Sequence, residues 1–425
     1  MHVIIAGGGI GGLTAAMVLH HRGIEVTLYE AAADLRPLGV GINILPHAMV
    51  EFHQLGIMDN LLALGVATAE LCFFNRHGQL IWREPRGTDA GYVVPQLSVH
   101  RGRLQVALRD HAVRMLPADS IRPGHAFTSC VSHGDGGVDV ELMDRAHSTT
   151  VTDHGDVLIA ADGIHSTVRK QFHPSEGPPH WSGNILWRAI SRAKPFLTGR
   201  SMFMAGHLPH KFVAYPISAV GDDGLCDINW IAELDRTALG PPGREDWNKR
   251  GVLDDFLPRF QDWRYPWIDI PALITAAPSV YEFPMVDRDP LDTWTYGSVT
   301  LLGDAAHPMY PVGSNGASQA VLDARAIGDA LAQEPTIAGA LERYEADRRM
   351  KTAALVMMNR QHGPERVLDM AEQRSPAGFT DIGDVFAEGE LEAVSAEYKQ
   401  VAGLLRSPLQ RTCIPPSTSS TSPVQ

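Results

Sequence analysis

The stretch from Val3 to Glu30 constrains this chain more than any other. Val3-Ile4-Ile5-Ala6 is a short unbroken apolar run, the pattern of a parallel strand buried on both faces. Gly7-Gly8-Gly9-Ile10-Gly11-Gly12 follows, then Leu13 to Leu19, built from small and apolar helix formers. Gly23 comes just after the cation-capable His20-His21-Arg22, where a helix should stop. Ile24 to Glu30 reads as a second strand, so the unit is βαβ with a right-handed crossover. Gly7, Gly9 and Gly12 keep the GxGxxG spacing; with Gly11 they permit a tight turn and bring backbone N–H groups close to a pyrophosphate at the helix N-terminus. Glu30 ends the second strand, where a carboxylate accepts hydrogen bonds from ribose hydroxyls. The alternative is a glycine turn without a nucleotide, and the motif does not separate NAD from FAD.

The chain has 425 residues, enough for two to three domains. Its 36 Lys plus Arg against 49 Asp plus Glu give a net charge of −13, which argues against non-specific nucleic-acid binding. Cys72, Cys130, Cys226 and Cys413 show no CxxC spacing, so neither a disulfide framework nor a zinc site is expected. No run approaches the ~18 apolar residues of a membrane span, and the first apolar run begins at residue 3, leaving no room for a leader. A cytoplasmic protein is the expectation.

Leu104 to Leu116 reads as a helix, Val138 to Leu142 as an alternating strand and Val157 to Ala161 as a buried parallel strand. From about Ile185 to Glu233 the runs become aromatic-rich and broken by Gly, Pro and Asp, the look of an antiparallel sheet. Val299 to Leu302 returns to the buried type, a mostly helical stretch runs from Ala317 to His362, and Pro415 to Gln425 reads as disordered. The fold class expected is α/β: a Rossmann-like dinucleotide-binding domain with an inserted antiparallel sheet and a C-terminal helical region.

Two further motifs stand after buried strands. In Ala161-Asp162-Gly163-Ile164-His165-Ser166-Thr167-Val168-Arg169 a strand ends in Asp-Gly and opens toward a Ser and an Arg; the bland reading is Asp162 as a helix cap. In Gly303-Asp304 a carboxylate suited to a polyol hydroxyl stands at a strand's carboxyl end, where open α/β folds bind ligands. Gly313 and Gly316 then precede a helix, through Ala317 and Ser318, whose positive end favours negative charge nearby. An ordinary cap and turn is the alternative there.

In order and spacing the three motifs resemble the class A flavin-dependent aromatic monooxygenases, the para-hydroxybenzoate and salicylate hydroxylase group, from the first strand to about residue 360. The segments Arg36 to Ile44, His100-Arg101-Gly102, Trp187-Arg188 and Tyr281 to Pro290 are most similar to the branch that hydroxylates and decarboxylates 5-methylphenazine-1-carboxylate. The resemblance implies FAD as cofactor, NAD(P)H and O₂ as co-substrates, and a small aromatic or heteroaromatic substrate. In that chemistry a flavin C4a-hydroperoxide passes one oxygen atom to a ring carbon and the other leaves as water; CO₂ departs where the attacked carbon bears a carboxylate. Both NADH and NADPH fit.

By the same resemblance the first motif takes the ADP half of FAD. Asp162-Gly163 with Arg169 is associated with both FAD and NAD(P)H, and Gly303-Asp304 holds the ribityl chain. Gly316, Ala317 and Ser318 belong to the flavin end, Arg36, Val40 and Arg101 contact FAD, and Val131 lies near the adenine by its backbone. Asn43 would stand beside the isoalloxazine, or be a strand-end amide. Tyr215 would hydrogen-bond a phenolate or ring nitrogen, or be a core tyrosine. Pro311 would shape the pocket by its carbonyl, His307 is read as structural, and Met202, Phe203 and Met204 as core or pocket wall.

Asn315 and Ser318 replace the Gln and Asn of many relatives, and Pro46-His47 the common Pro-Asn. The implied organisation is an FAD-binding domain in three parts, 1–72, 98–180 and 286–335. Substrate-side strands are expected at 73–97, a substrate domain at 181–285, C-terminal helices at 336–408 and a disordered tail at 409–425. The competing readings are an FAD-dependent epoxidase or reductase of the same fold, and a non-enzymatic binder like the GDP-dissociation inhibitors. No metal is called for.

Overall fold

The computed structural model describes residues 1–34, 39–133, 136–208, 210–240 and 249–404. Arg36 and the tail at 409–425 lie outside the described residues.

The opening βαβ unit forms as its pattern requires: strand His2–Ala6, helix Ile10–His21, strand Glu25–Glu30. His2–Ala6 lies at the centre of a six-stranded sheet, with Val157–Ala160 on one side and Glu25–Glu30 on the other, both parallel to it. Val299–Leu301 is the next neighbour, parallel to Val157–Ala160. Three apolar runs far apart in sequence thus become adjacent parallel strands. Their carboxyl ends release Gly7, Asp162 and Gly303 along one edge of the sheet, the edge at which open α/β folds bind ligands. The opening helix must come very close to the turn before it. A Cβ on Gly12 would stand 2.0 Å from the Gly7 carbonyl oxygen, so only glycine lets helix and strand approach in this way.

Two helix boundaries differ from the sequence reading for clear reasons. The helix expected from Leu104 begins at Arg101, because the His100 ring nitrogen Nδ1 accepts the amide of Gly102 at 3.1 Å and caps it. The stretch from Ala317 to His362 is two helices, Gly316–Gln333 and Ile337–Arg360. Pro335 holds Glu334 extended, and the Thr336 hydroxyl caps the restart.

The aromatic segments build a seven-stranded sheet in the order Val280–Asp287, His180–Ala193, Cys226–Asp235, His210–Pro216, Ser201–His207, Glu70–Phe74, Leu80–Pro85. Alternation along its strands sends Phe203, Phe212 and Trp230 into an aromatic core with Phe256 and Phe260. Met202, Met204, Val213 and Tyr215 take the opposite face. Among the described residues no helix is long and apolar enough to cross a membrane, and no His, Cys, Asp or Glu group could hold a metal.

A continuous cleft between the two sheets

A cavity of about 360 Å³ lies between the carboxyl edge of the first sheet and the non-aromatic face of the second. A second, of about 290 Å³, lies over the glycine turn. Gly9, Arg101, Ala161 and Gly163 line both, so the two form one cleft.

The second cavity is built on the opening unit. Gly7, Glu30 and Asp162 line it. Glu30 is already engaged: its two oxygens accept the amides of Gly8 at 2.6 Å and Ala32 at 2.7 Å, tying the turn to the end of the second strand. Gln105 Nε2 holds the Gly8 carbonyl at 2.8 Å. Each carboxylate oxygen keeps a lone pair for a further donor. Above the turn, the first amides of the helix have no partner inside it, and a Cβ on Gly9 would meet nothing within 4 Å. Asp162 Oδ2 accepts the Thr167 amide at 2.7 Å, but the cap of the Thr167–Phe172 helix is Ser166, whose hydroxyl accepts the Arg169 amide at 2.9 Å. Asp162 Oδ1 is buried without a partner, and burial pushes the carboxyl up. A buried orphan acceptor in a cavity wall calls for a donor from a ligand.

Gly303 and Asp304 sit at the other end. Asp304 is open to the cavity and surrounded by protein, and it accepts no hydrogen bond from the described residues. Burial pushes its carboxyl up against the pull of His307 and Arg101. The turn itself is held from behind by side chains that do not line the cleft. Buried Arg169 pairs with Glu176 and donates to the carbonyls of Ala305 at 3.1 Å and Ala306 at 2.9 Å. Its guanidinium thereby braces the Asp304 turn from behind. His307 pairs with buried Asp323, in keeping with a structural role.

The loop before the Gly316–Gln333 helix turns left-handed at Gly313, with φ of 65°. A Cβ there would overlap the Tyr398 hydroxyl at 2.0 Å. That hydroxyl accepts Asn315 Nδ2 at 2.7 Å and stands 3.1 Å from both Val312 O and Asn359 Oδ1. Ser318 accepts the Leu45 amide at 3.0 Å. Both departures from the common family pattern therefore have packing partners of their own. Buried His47 is pushed down to about 4 by burial and by Arg348, so it is a neutral residue of the interior.

Of the residues picked out from sequence, Gly9, Gly11, Asn43, Arg101, Tyr215, Gly303, Asp304, Pro311, Gly316 and Ala317 line the larger cavity. Gly12, Val40, Val131 and Ser318 line neither. Val40 is buried and presents its carbonyl to the Arg101 amide at 2.9 Å. Val131 is 58 % exposed; from its strand, His125 and Phe127 face the second cavity instead. Asn43 is fixed by the Ser98 hydroxyl at 2.5 Å and by Met202 Sδ at 3.7 Å.

The sequence reading mentioned Arg188 only as part of a segment and passed over Lys211, Glu233 and Glu365, all of which line the larger cavity. Arg188 is enclosed beside the Tyr215 hydroxyl. Its Nη2 donates to Gly41 O at 3.1 Å, while Nε is buried without a partner. Burial pulls the guanidinium down and pushes the Tyr215 phenol up to about 12 despite Arg188. Lys211 is buried against Glu233 at 2.9 Å and against Glu365, and these two carboxylates outweigh burial and hold its ammonium charged. The available signal was a charged residue on the alternating face of an otherwise apolar strand.

The cleft thus offers free amides at a helix end, unfilled carboxylate acceptors along its length, and an apolar chamber with buried cations. A family model described as an FAD binding domain matches residues 1–193 and 271–359. The phenazine 1,6-dicarboxylic acid hydroxylase PhzS of Lysobacter antibioticus is 42% identical over 94% of this chain and 96% of its own. The aurachin C monooxygenase/isomerase of Stigmatella aurantiaca is 33% identical over 81% of this chain and 84% of its own. Among solved structures, Klebsiella pneumoniae HpxO in complex with FAD and uric acid superposes with a TM-score of 0.71 over 95% of this chain and 93% of that one, at 24% identity, a likeness of fold. By family model and by full-length relatives, this chain belongs to the FAD-binding-domain family of flavin-dependent aromatic monooxygenases.

Proposed function

We propose that this FAD- and NAD(P)H-dependent monooxygenase hydroxylates a planar heteroaromatic acid of the phenazine kind, with CO₂ lost when the attacked carbon carries the carboxylate. The observation that carries this reading is Arg188: a guanidinium enclosed in the apolar chamber, facing Tyr215, with Nε unpaired and with no carboxylate partner among the described residues. Such a group calls for an anion. The full-length likeness to a phenazine dicarboxylate hydroxylase supports the ring class.

The residues present fit FAD. Orphaned Asp162 Oδ1, unfilled Asp304 and the open space at Gly9 lie along one cleft of a dinucleotide's extended form. In this reading Gly7, Gly9, Gly11 and the helix amides take the diphosphate, and Glu30 and Asp162 the adenosine side. Asp304 takes the polyol, and the Gly316–Ala317 helix end meets the ring edge that becomes negative on reduction. When bound, FAD supplies hydride acceptance from NAD(P)H and the activation of O₂. The chain's own work is placement. Tyr215 donates a hydrogen bond to the substrate, Arg188 neutralises its carboxylate, Asn43 and Pro311 shape the wall, and the apolar chamber excludes water. Arg36, outside the described residues, and Arg101 remain proposed FAD contacts. The NAD(P)H requirement supports the cytoplasm as its place of action.

The test is a panel of aromatic acids screened for stimulated NAD(P)H oxidation, with mass spectrometry of products under ¹⁸O₂. One labelled oxygen on a ring carbon, with or without loss of CO₂, is expected. Label on an alkene carbon would mark an epoxidase, and a reduced product without label a reductase.

A further inference from the structure

The sheet wall of the larger cavity is electrically divided, and one of its poles has no part in the reading above. Cross-strand register places Arg188, Ile231 and Val213 in one row and Leu186, Glu233 and Lys211 in the next. All six face the cavity. Tyr215 faces it from the row on the other side of Val213. Alternate residues on a strand are ~7 Å apart, so Tyr215 and Lys211 mark poles separated by roughly 13 Å, with Val213 and Ile231 between them and Arg188 reaching from that middle row toward Tyr215.

The poles differ in sign. At the Tyr215 end, Arg188 has no carboxylate partner among the described residues. At the far end one ammonium, Lys211, is shared by two carboxylates. Glu233 has a donor on each oxygen, Lys211 on one and Asn184 Nδ2 at 2.7 Å on the other, so neither is without a partner. Glu365 is 3 % exposed and lines the cavity, its Oε2 meets Lys211, and its Oε1 takes no hydrogen bond from the described residues. Burial, with Glu233 adding to it, pushes the Glu365 carboxyl up against the pull of Lys211 and of His362.

We propose that Lys211, Glu233 and Glu365 form a distal recognition site in which Glu365 accepts an N–H, an O–H or a positively charged edge at the end of the ring system opposite the substrate's carboxylate, and which rejects a second carboxylate there. The proposal rests on the sheet side of the cleft holding the substrate. An arriving donor or cation supplies the charge that the pole lacks, whereas a carboxylate would add a third anion to a buried site. Lys211 and Glu233 are positioning residues that hold Glu365 at the wall. The consequence is a preference unlike that named for the Lysobacter relative: a monoacid with a donor on the far ring over a diacid.

The test uses FAD-loaded enzyme and three probes: phenazine-1-carboxylate, its 6-amino derivative and phenazine-1,6-dicarboxylate. Dissociation constants come from the perturbation of the flavin spectrum. A charge-assisted hydrogen bond predicts that the amino acid binds about tenfold or more tighter than the diacid. In Glu365→Gln that ratio should fall toward one, with flavin content as the check on folding. Lys211→Gln removes the ammonium that offsets the two carboxylates and should raise the ratio, and Lys211→Arg should restore the wild-type value. A diacid that binds wild type as tightly as the amino acid overturns the proposal, and this arm stands even if every variant fails to fold. So does a ratio that survives in folded Glu365→Gln. If the probes bind and only the ratio is wrong, the distal site fails alone; if none binds or stimulates NAD(P)H oxidation, the substrate reading fails with it.

Discussion

The amide of Gly303 donates to Asp323 Oδ2 at 3.0 Å, so a buried carboxylate twenty residues downstream sets the turn that presents Asp304. The same carboxylate takes His307 on Oδ2 and Arg348 Nε at 2.7 Å on Oδ1. Burial opposes its ionisation, but His307 and Arg348 outweigh burial and hold it down at about 2. A carboxyl whose folded value lies below its free value of 3.8 contributes stability above that value, and the contribution is lost as pH falls toward about 2. Asp323→Asn leaves buried Arg348 without its carboxylate and is expected to cost about 3 kcal/mol in urea unfolding at neutral pH. The variant should also lose the part of the wild-type acid transition that falls between about pH 4 and pH 2. An equal unfolding midpoint in both proteins would show that the turn does not depend on Asp323.

Asp304→Ala removes the unfilled acceptor without touching that support. Loss of one or two charge-assisted hydrogen bonds to the polyol is expected to weaken FAD binding about 10- to 100-fold. The flavin-to-protein absorbance ratio of the purified variant measures it. Full retention of flavin would place the polyol elsewhere.

Tyr215 has its phenol pushed up to about 12, so it donates as a neutral group throughout the working range. Between roughly pH 6 and pH 9 the ratio of hydroxylated product to NAD(P)H consumed should show no step from this residue. Tyr215→Phe should keep FAD yet release more of the reducing equivalents as peroxide. Unchanged coupling in that variant would return Tyr215 to the core.

Gly313→Ala tests the loop before the long helix. The positive φ alone costs about 1 kcal/mol, and overlap with the Tyr398 hydroxyl adds to it. We expect a loss of roughly 2 kcal/mol, with lowered flavin content. Tyr398→Ala in the same chain should recover part of the overlap cost, read by the two single variants and the double.

Much of this molecule was legible along the chain, and the reason is local. Strand, glycine turn, helix and acid at Gly7 to Glu30 are decided by neighbours in sequence, because apolar runs, left-handed positions and free helix amides act over a few residues. The Asp162 and Gly303 strand ends are equally local features, and so are the aromatic strands from Ile185. What only the tertiary structure decided is which distant groups meet. Arg169 finds its carbonyl partners, Ala305 and Ala306, 136 and 137 residues away. Val131 turned outward, and Phe127 and His125 inward, because a bulge opposite Glu141 and Leu142 reverses the alternation between them. The Lys211–Glu365 pair spans 154 residues and joins a strand to the chain beyond the last long helix. No spacing rule connects such residues: burial of the two cores brings them together, and only then does the low-polarity interior make their charges matter.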